Sequence, residues 1–359
     1  MLPDELTAHG RHVMTVCNAC RYCEQFCPVF PAIERSRSFS PASLAHLANL
    51  CHNCGECLYA CQYAPPHEFG INVPRTLAEI RVRSYEENCW PRALGLAFRR
   101  RNLQTALGVA AGLVAATAAL VWFFNREALW PSDGSANFYL VVPHGIMVTL
   151  FGAVSLFVMT AMAISGARFW RGVGAGRPSP LGGLWPAVHD VLTLRHLHTG
   201  GIDCASDLET RAPWRRWCHH CTSYGFLLCF ASTSVAAFYH TVFGWPAPYD
   251  YTSLPVVLGT VGGLGLLVGP AGLAVLRQRR DPLLGDPASG GLDASFLALL
   301  FLTSLTGLAL LVLRHRSVMG ILLIVHLGSV LALLLTLPYG KFVHGLYRAL
   351  ALVRHHGEI

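Results

Sequence analysis

Charge is what this sequence has least of. Asp, Glu, Lys and Arg make up 13% of its 359 residues against 53% hydrophobic ones, and the mean hydropathy is +0.43. So few charges cannot cover the surface of an ordinary soluble protein of this length, and a polytopic membrane protein with a smaller soluble part is expected. The net charge of +7 is not read as a nucleic-acid surface, because the basic residues gather beside apolar segments, as membrane topology requires. Other absences narrow the chemistry. No GxGxxG joins a strand to a helix, so any flavin- or nicotinamide-dependent oxidation has to occur on another polypeptide. No CxxCH occurs, which excludes covalently attached haem. A carboxylate transporter would need cations within its spans, and every Arg here sits at a span end. The opening MLPDELTAHG has no basic start followed by an apolar run, so no cleavable signal peptide is expected.

Cysteine, by contrast, is abundant and ordered. Cys17, Cys20, Cys23 and Cys27 form a C-x2-C-x2-C-x3-C run, and Cys51, Cys54, Cys57 and Cys61 repeat it. That spacing holds cubic [4Fe–4S] clusters, the fourth Cys of each run reaching across to the other cluster. Cys17, Cys20, Cys23 and Cys61 are therefore expected to ligate one cluster, and Cys51, Cys54, Cys57 and Cys27 the other. Structural zinc would use two CxxC pairs or a CxxC with a distant His pair, and disulfides among eight crowded thiols would close strained rings. Free thiols in this number need a reducing compartment, so this part should face the cytoplasm.

Residues 1–98 read as a helical two-cluster ferredoxin-like domain and 99–359 as a six-helix transmembrane bundle, mainly α throughout. Ser40 and Pro41 suit the start of a helix carrying Leu44, Leu47 and Leu50, and a second helix is expected from Pro74 to about Tyr85. Cys89 stands outside both runs and reads as a buried thiol. Apolar segments fall near 104–124, 138–164, 224–243, 254–276, 294–313 and 319–340. Arg99, Arg100 and Arg101, the Arg-rich loop 165–222, and Arg277, Arg279 and Arg280 define the inner side. Arg126, Arg314 and Arg316 are all that the outer loops hold, so both termini are expected in the cytoplasm. In the loop, Arg195, Arg211, Arg215 and Arg216 read as topological anchors, with lipid phosphate or a partner as the alternative. Gly259, Gly263, Gly265 and Gly269 mark the fourth span as a close-packing surface.

Histidines at membrane depth invite a cofactor. His326 and His344 are 18 residues apart, which on one continuous helix puts them on one face about 27 Å apart. His144, His240 and His326 fall in an outer layer, and His219, His220 and His344 in an inner one. Two layers of facing His suit one or two b-type haems with bis-His ligation; helix capping and bundle hydrogen bonds are the plainer alternative. Cys218-His219-His220-Cys221 resembles half a zinc site and stays unassigned.

The stretches CNACRYCEQFCPVFPAIERSRSFS, LANLCHNCGECLYACQYAPPHEFGINVPRTLAEIR and HHCTSYGFLLCFASTSVAAFYH resemble the tricarballylate/citrate-utilisation membrane iron–sulfur family (TcuB, also called CitB) along the whole chain. Separately, His326 through Leu337-Pro338-Tyr339-Gly340-Lys341-Phe342-Val343-His344 is similar to the last haem-binding helix of the nitrate reductase gamma subunit. The family resemblance implies a multi-pass protein of the bacterial inner membrane. In this role it reoxidises a cytoplasmic FAD-dependent tricarballylate dehydrogenase and passes the electrons to the quinone pool. The reverse flow, from quinol to a cytoplasmic reductase, is the alternative that sequence leaves open.

Overall fold

The computed structural model describes residues 3–36, 38–130, 137–173, 180–197, 214–286 and 289–358. All regular structure among them is helical. The first part holds α1 (Asp4–Cys20), α2 (Val29–Arg35), α3 (Pro41–Leu50), α4 (Glu56–Tyr59), α5 (Val73–Asn88) and α6 (Arg92–Arg100). Then follow α7 (Asn102–Asn125), α8 (Phe138–Val141), α9 (His144–Gly172), α10 (Pro180–Thr193) and α11 (Trp214–Phe243). The chain ends with α12 (Leu254–Gln278), α13 (Gly290–Leu313), α14 (Met319–Thr336) and α15 (Val343–Gly357).

The expected helix starts are present with their caps. The Ser40 side chain accepts from the Ser43 N–H with Pro41 at the first helical position, and Asn72 does the same for Arg75 at the start of α5. Leu44 and Leu47 turn inward with Val13, Met14, Ile33, Leu77 and Ile80, all nearly inaccessible, and this core holds α1, α2, α3 and α5 together. Cys89 is buried, as expected of a plain thiol. Helix α1 was not legible from hydrophobic periodicity. It carries Cys17 and Cys20 on its last turns, so the first Cys run starts on a helix rather than in a tight loop.

Six helices are long and apolar enough to cross a membrane: α7 with its short extension to Leu129, α9, α11, α12, α13 and α14. They pack in a row, α11 on α12 on α13 on α14 on α7, with α9 against α14. Large apolar side chains such as Leu156, Met159, Phe230, Val268 and Val312 remain more than 60% exposed, a surface that hydrocarbon rather than water would cover. The glycine-rich face of α12 lies in close contact with α11. A Cβ at Gly269 would stand 2.4 Å from Thr222 Oγ1 and 2.8 Å from the Cys218 carbonyl oxygen on α11. Cys218 and Cys221 are thus part of a helix–helix seam. Gly269→Val is expected to force α11 and α12 apart, costing about 1–3 kcal/mol; a thermal unfolding curve in detergent unchanged from wild type would contradict this.

Two expectations are corrected by the backbone. The segment 165–222 is not simply a loop: α9 runs on to Gly172, α10 occupies 180–193, and α11 already begins at Trp214. Its Arg-rich stretch is the first turn of a span, where Arg can leave the bilayer while the helix continues. Second, the helix bearing His326 stops at Thr336. The Thr336 carbonyl accepts from both Tyr339 and Gly340, and a new helix starts at Val343. Pro338 has no N–H to continue the ladder, so His326 and His344 do not share one continuous helix face, and the argument from five full turns fails.

Helix α15 instead turns onto the cysteine-bearing part. Tyr347 lies between Tyr85 of α5 and Phe169 of α9, at ring separations of 5.4 and 4.9 Å, and the core of the first part continues through Ala351 and Leu352. On its other side α15 holds α10. The Asp190 carboxylate, 4% exposed, meets His196 Nε2 at 3.0 Å and His356 Nε2 at 2.9 Å. Burial pushes the Asp190 pKa up, but the bonds from His356 and His196 outweigh it, and the net shift is downward. A carboxylate with a depressed folded pKa stabilises above its unfolded pKa, and that stability is lost as pH falls through the folded value. Asp190→Asn is therefore expected to destabilise the α10–α15 contact at neutral pH by about 3 kcal/mol. The loss relative to wild type should shrink at acid pH, and a constant difference in thermal unfolding across pH would count against this account.

Candidate iron–sulfur and histidine sites

The two Cys runs line two adjacent cavities. A cavity of about 240 Å³ is lined by Cys17, Cys20, Cys23 and Cys61, with Arg21, Tyr22, Phe30 and Ile71 around them; Cys57 also borders it. A second, nearly closed cavity beside it is lined by Cys27, Cys51, Cys54 and Cys57. Cys61 of the second run thus joins the first run's cavity and Cys27 of the first run joins the second's, with Cys57 between the two. The crossing results from short elements. Arg21 at φ 56 ends α1 and sends Cys23 back over Cys17. Gly55, at φ 95, lets the chain turn between Cys54 and Cys57, and a side chain there would also meet Leu284.

The chemistry of these thiols tests whether a cluster would suit them. Burial, reinforced by the neighbouring thiols, pushes Cys17 and Cys23 up to about 12. Burial likewise raises Cys54 to about 11, and moves Cys27 and Cys57 well above the ordinary thiol range. As bare groups they would hold their protons. The positive charge of iron is what stabilises such a set as thiolates, so the donor set fits the group. Among the described residues no three His, Cys, Asp or Glu side chains close around a point suited to a single metal ion. The cysteines stand around cavities instead.

The second cavity faces the membrane helices. Arg215, at the start of α11, donates to the carbonyls of Asn53 at 3.0 Å and His52 at 3.3 Å. Arg280, just beyond α12, donates to Asn53 at 2.6 Å, and Arg348 of α15 to the Cys51 carbonyl at 2.8 Å. Arg81 of α5 donates to Ala48 at 2.6 Å. Sequence reasoning read Arg215 as an anchor and did not single out the other three as partners of this loop. No local pattern marks an Arg whose acceptor lies 33 or more residues away. Arg216 binds the Thr193 carbonyl, Arg195 lies 3.9 Å from Asp190, and Arg211 lies outside the described residues.

The six histidines separate into pairs and singles. His144 and His240 stack at 3.7 Å, with the Tyr139 hydroxyl 3.5 Å from His240 Nδ1. His219 and His344 are neighbours within reach of Arg215, Lys341 and Arg348, at the inner end of the bundle. His344 Nδ1 is hydrogen-bonded to the Lys341 carbonyl, which in that tautomer leaves Nε2 without its proton and free to ligate. His326 is held by Thr306, its Nδ1 3.1 Å from the hydroxyl, and packs on Gly307 of α13. His220 stacks on Tyr224, away from His219. An inner pair and an outer pair therefore exist, but the outer one is His144 with His240, and His326 stands apart from both.

An all-helical domain with two crossed cysteine quartets, mounted on six apolar helices, defines an iron–sulfur type of membrane protein. The chain belongs to the citrate utilization protein B family. It matches the family described as "Citrate utilization protein B" over residues 98–359 and the "Citrate utilization protein B Fer4-like domain" over 10–87. It is 46% identical to "Citrate utilization protein B" of Escherichia coli over 351 residues, covering 98% of this chain and 92% of that protein. No solved structure matches it.

Proposed function

We propose that this chain takes electrons from a cytoplasmic FAD-dependent dehydrogenase of tricarballylate or a related tricarboxylate such as citrate and delivers them to the quinone pool. The observation that carries this reading is the pair of adjacent cavities, the first lined by Cys17, Cys20 and Cys23 with Cys61 and Cys57, the second by Cys51, Cys54 and Cys57 with Cys27. In it, Cys17, Cys20, Cys23 and Cys61 hold one [4Fe–4S] cluster and Cys51, Cys54, Cys57 and Cys27 the other. Such clusters, when bound, accept and release single electrons, the conversion needed between a two-electron flavin and a quinone. The residues around them position and insulate. The first set lies beside exposed Tyr22, where a soluble donor can approach, and the second lies under Arg215, Arg280 and Arg348 on the membrane side.

On this reading His219 and His344 hold an inner haem b and His144 and His240 an outer one. The Nδ1 bond of His344 supports the inner site; the outer pair, whose rings stack face to face at 3.7 Å, must part to admit iron between them. The N-terminal domain and both termini face the cytoplasm at the bacterial inner membrane, consistent with the Arg distribution and the free thiols.

The test is reduction of a short-chain quinone by the purified protein in liposomes, driven by a reduced flavoprotein on the N-terminal face. Quinone reduction that depends on both cysteine sets supports the proposal. Quinol oxidation with no forward reaction would favour the reverse flow, and tricarboxylate uptake into vesicles without quinone reduction would favour a transporter.

A further inference from the structure

Three guanidinium groups converge on one short loop, and a fourth on the last turn of the helix that leads into it. Arg81, Arg215, Arg280 and Arg348 come from α5, the start of α11, the segment after α12, and α15. All donate to backbone carbonyls of Ala48, Cys51, His52 or Asn53, at 2.6–3.3 Å. This is the loop that carries Cys51 and leads to Cys54. Arg81 is 7% exposed, and Arg215, Arg280 and Arg348 are partly buried. Among the described residues the first quartet has no such company. Arg21 borders its cavity, but that side chain is exposed and its Nε is turned onto the Asn18 carbonyl. Glu56, buried, acts on Cys23 of the first quartet and on Cys27 and Cys54 of the second, so it does not separate the two.

Carbonyl satisfaction alone does not account for this arrangement. A carbonyl oxygen takes two donors through its two lone pairs, and at Asn53 both are guanidinium groups, from two different membrane elements. Four positive charges held out of water are costly unless negative charge stands nearby. A cluster with four thiolates supplies such charge, and more of it when reduced. Positive charge close to a cluster favours its reduced state and raises its reduction potential, and it acts more strongly through a poorly solvated interior than from an exposed side chain.

We propose that Arg81, Arg215, Arg280 and Arg348 are tuning residues that make the Cys51–Cys54–Cys57–Cys27 cluster the higher in potential of the two. They thereby direct electrons from the solvent-side quartet to the membrane-side one. The electron balance is one electron out of the site at Cys17, Cys20, Cys23 and Cys61 and one into the site at Cys51, Cys54, Cys57 and Cys27. Reduced flavin is the source on one side and quinone the sink on the other. Arg215, Arg280 and Arg348 join the loop to α11, α12 and α15, so the membrane helices themselves set the potential of the cluster they receive from. This inference rests on the cluster assignment proposed above.

The test is an EPR-monitored redox titration of the full-length holoprotein in detergent. The two signals are assigned by which one is lost in Cys20→Ala and which in Cys54→Ala. In wild type the second-quartet signal should titrate at the more positive potential. Arg280→Gln should shift it negative and leave the first-quartet signal in place, while Arg280→Lys, which keeps the charge, should leave both near their wild-type values. Arg215→Gln, read in the same way, serves as a second variant if Arg280→Gln does not assemble. Two wild-type signals with the second-quartet one at the lower potential, or one that neither glutamine variant moves, would overturn this inference while leaving the cluster assignment intact. A wild-type protein with no cluster signals would overturn the assignment and the inference together.

Discussion

Cys54→Ala is expected to remove the membrane-side cluster and bring quinone reduction down to the rate of cluster-free protein, with the EPR signal of the other cluster retained. Cys54 lines the nearly closed cavity with Cys27, Cys51 and Cys57, and no other cysteine among the described residues lines that cavity. The loop has no slack to recruit a substitute. The Cys51 sulfur already accepts the Asn53 N–H at 3.3 Å, and the chain reverses at Gly55 immediately after. Cys20→Ala should give the mirror result, loss of the solvent-side cluster with the second retained. In both variants the flavoprotein should still be reduced by its own substrate, because that chemistry lies on the other polypeptide. Activity near wild type in either variant would show that its cluster is not on the route.

His344→Ala is expected to abolish one haem b signal in the reduced-minus-oxidised spectrum and leave the EPR of both clusters unchanged. His344 is the residue most clearly prepared for ligation: its Nδ1 is committed to the Lys341 carbonyl and His219 is its neighbour. His219→Ala should remove the same signal, whereas His326→Ala should leave both haem signals, because that ring stands apart from the other five histidines, against Thr306 and Gly307 of α13. His344 lies one turn before Arg348, which grips Cys51, so a structural role would show as loss of the second-quartet EPR signal. Protein with no Soret absorption after expression with excess haem would mark all six histidines as structural. Electrons would then have to pass from the membrane-side cluster directly to a quinone at the inner surface.

That the eight cysteines gather was legible in the sequence because their spacing is local, and short turns such as Cys51–Cys57 preserve it around the two cavities. The six spans were legible because hydropathy is a property of continuous segments. What could not be read was anything decided by a distant partner. The pairing of His144 with His240 depends on how α9 and α11 lean together, and periodicity along one helix carries no information about that. The angular argument for His326 and His344 assumed a helix that Pro338 and Gly340 break. Arg215 and Arg280 read only as topological charges and Arg348 carried no reading, because their acceptors, the Cys51–Asn53 carbonyls, are distant in the chain.

The central claim is that eight cysteines hold two four-iron clusters in crossed quartets. It is tested most directly by iron and acid-labile sulfide analysis of anaerobically reconstituted full-length protein, with EPR of the dithionite-reduced sample. The account predicts about eight irons and eight sulfides per chain, with a signal from two magnetically coupled centres. Zinc in place of iron, or about four irons with a single uncoupled signal at full reconstitution, would contradict it.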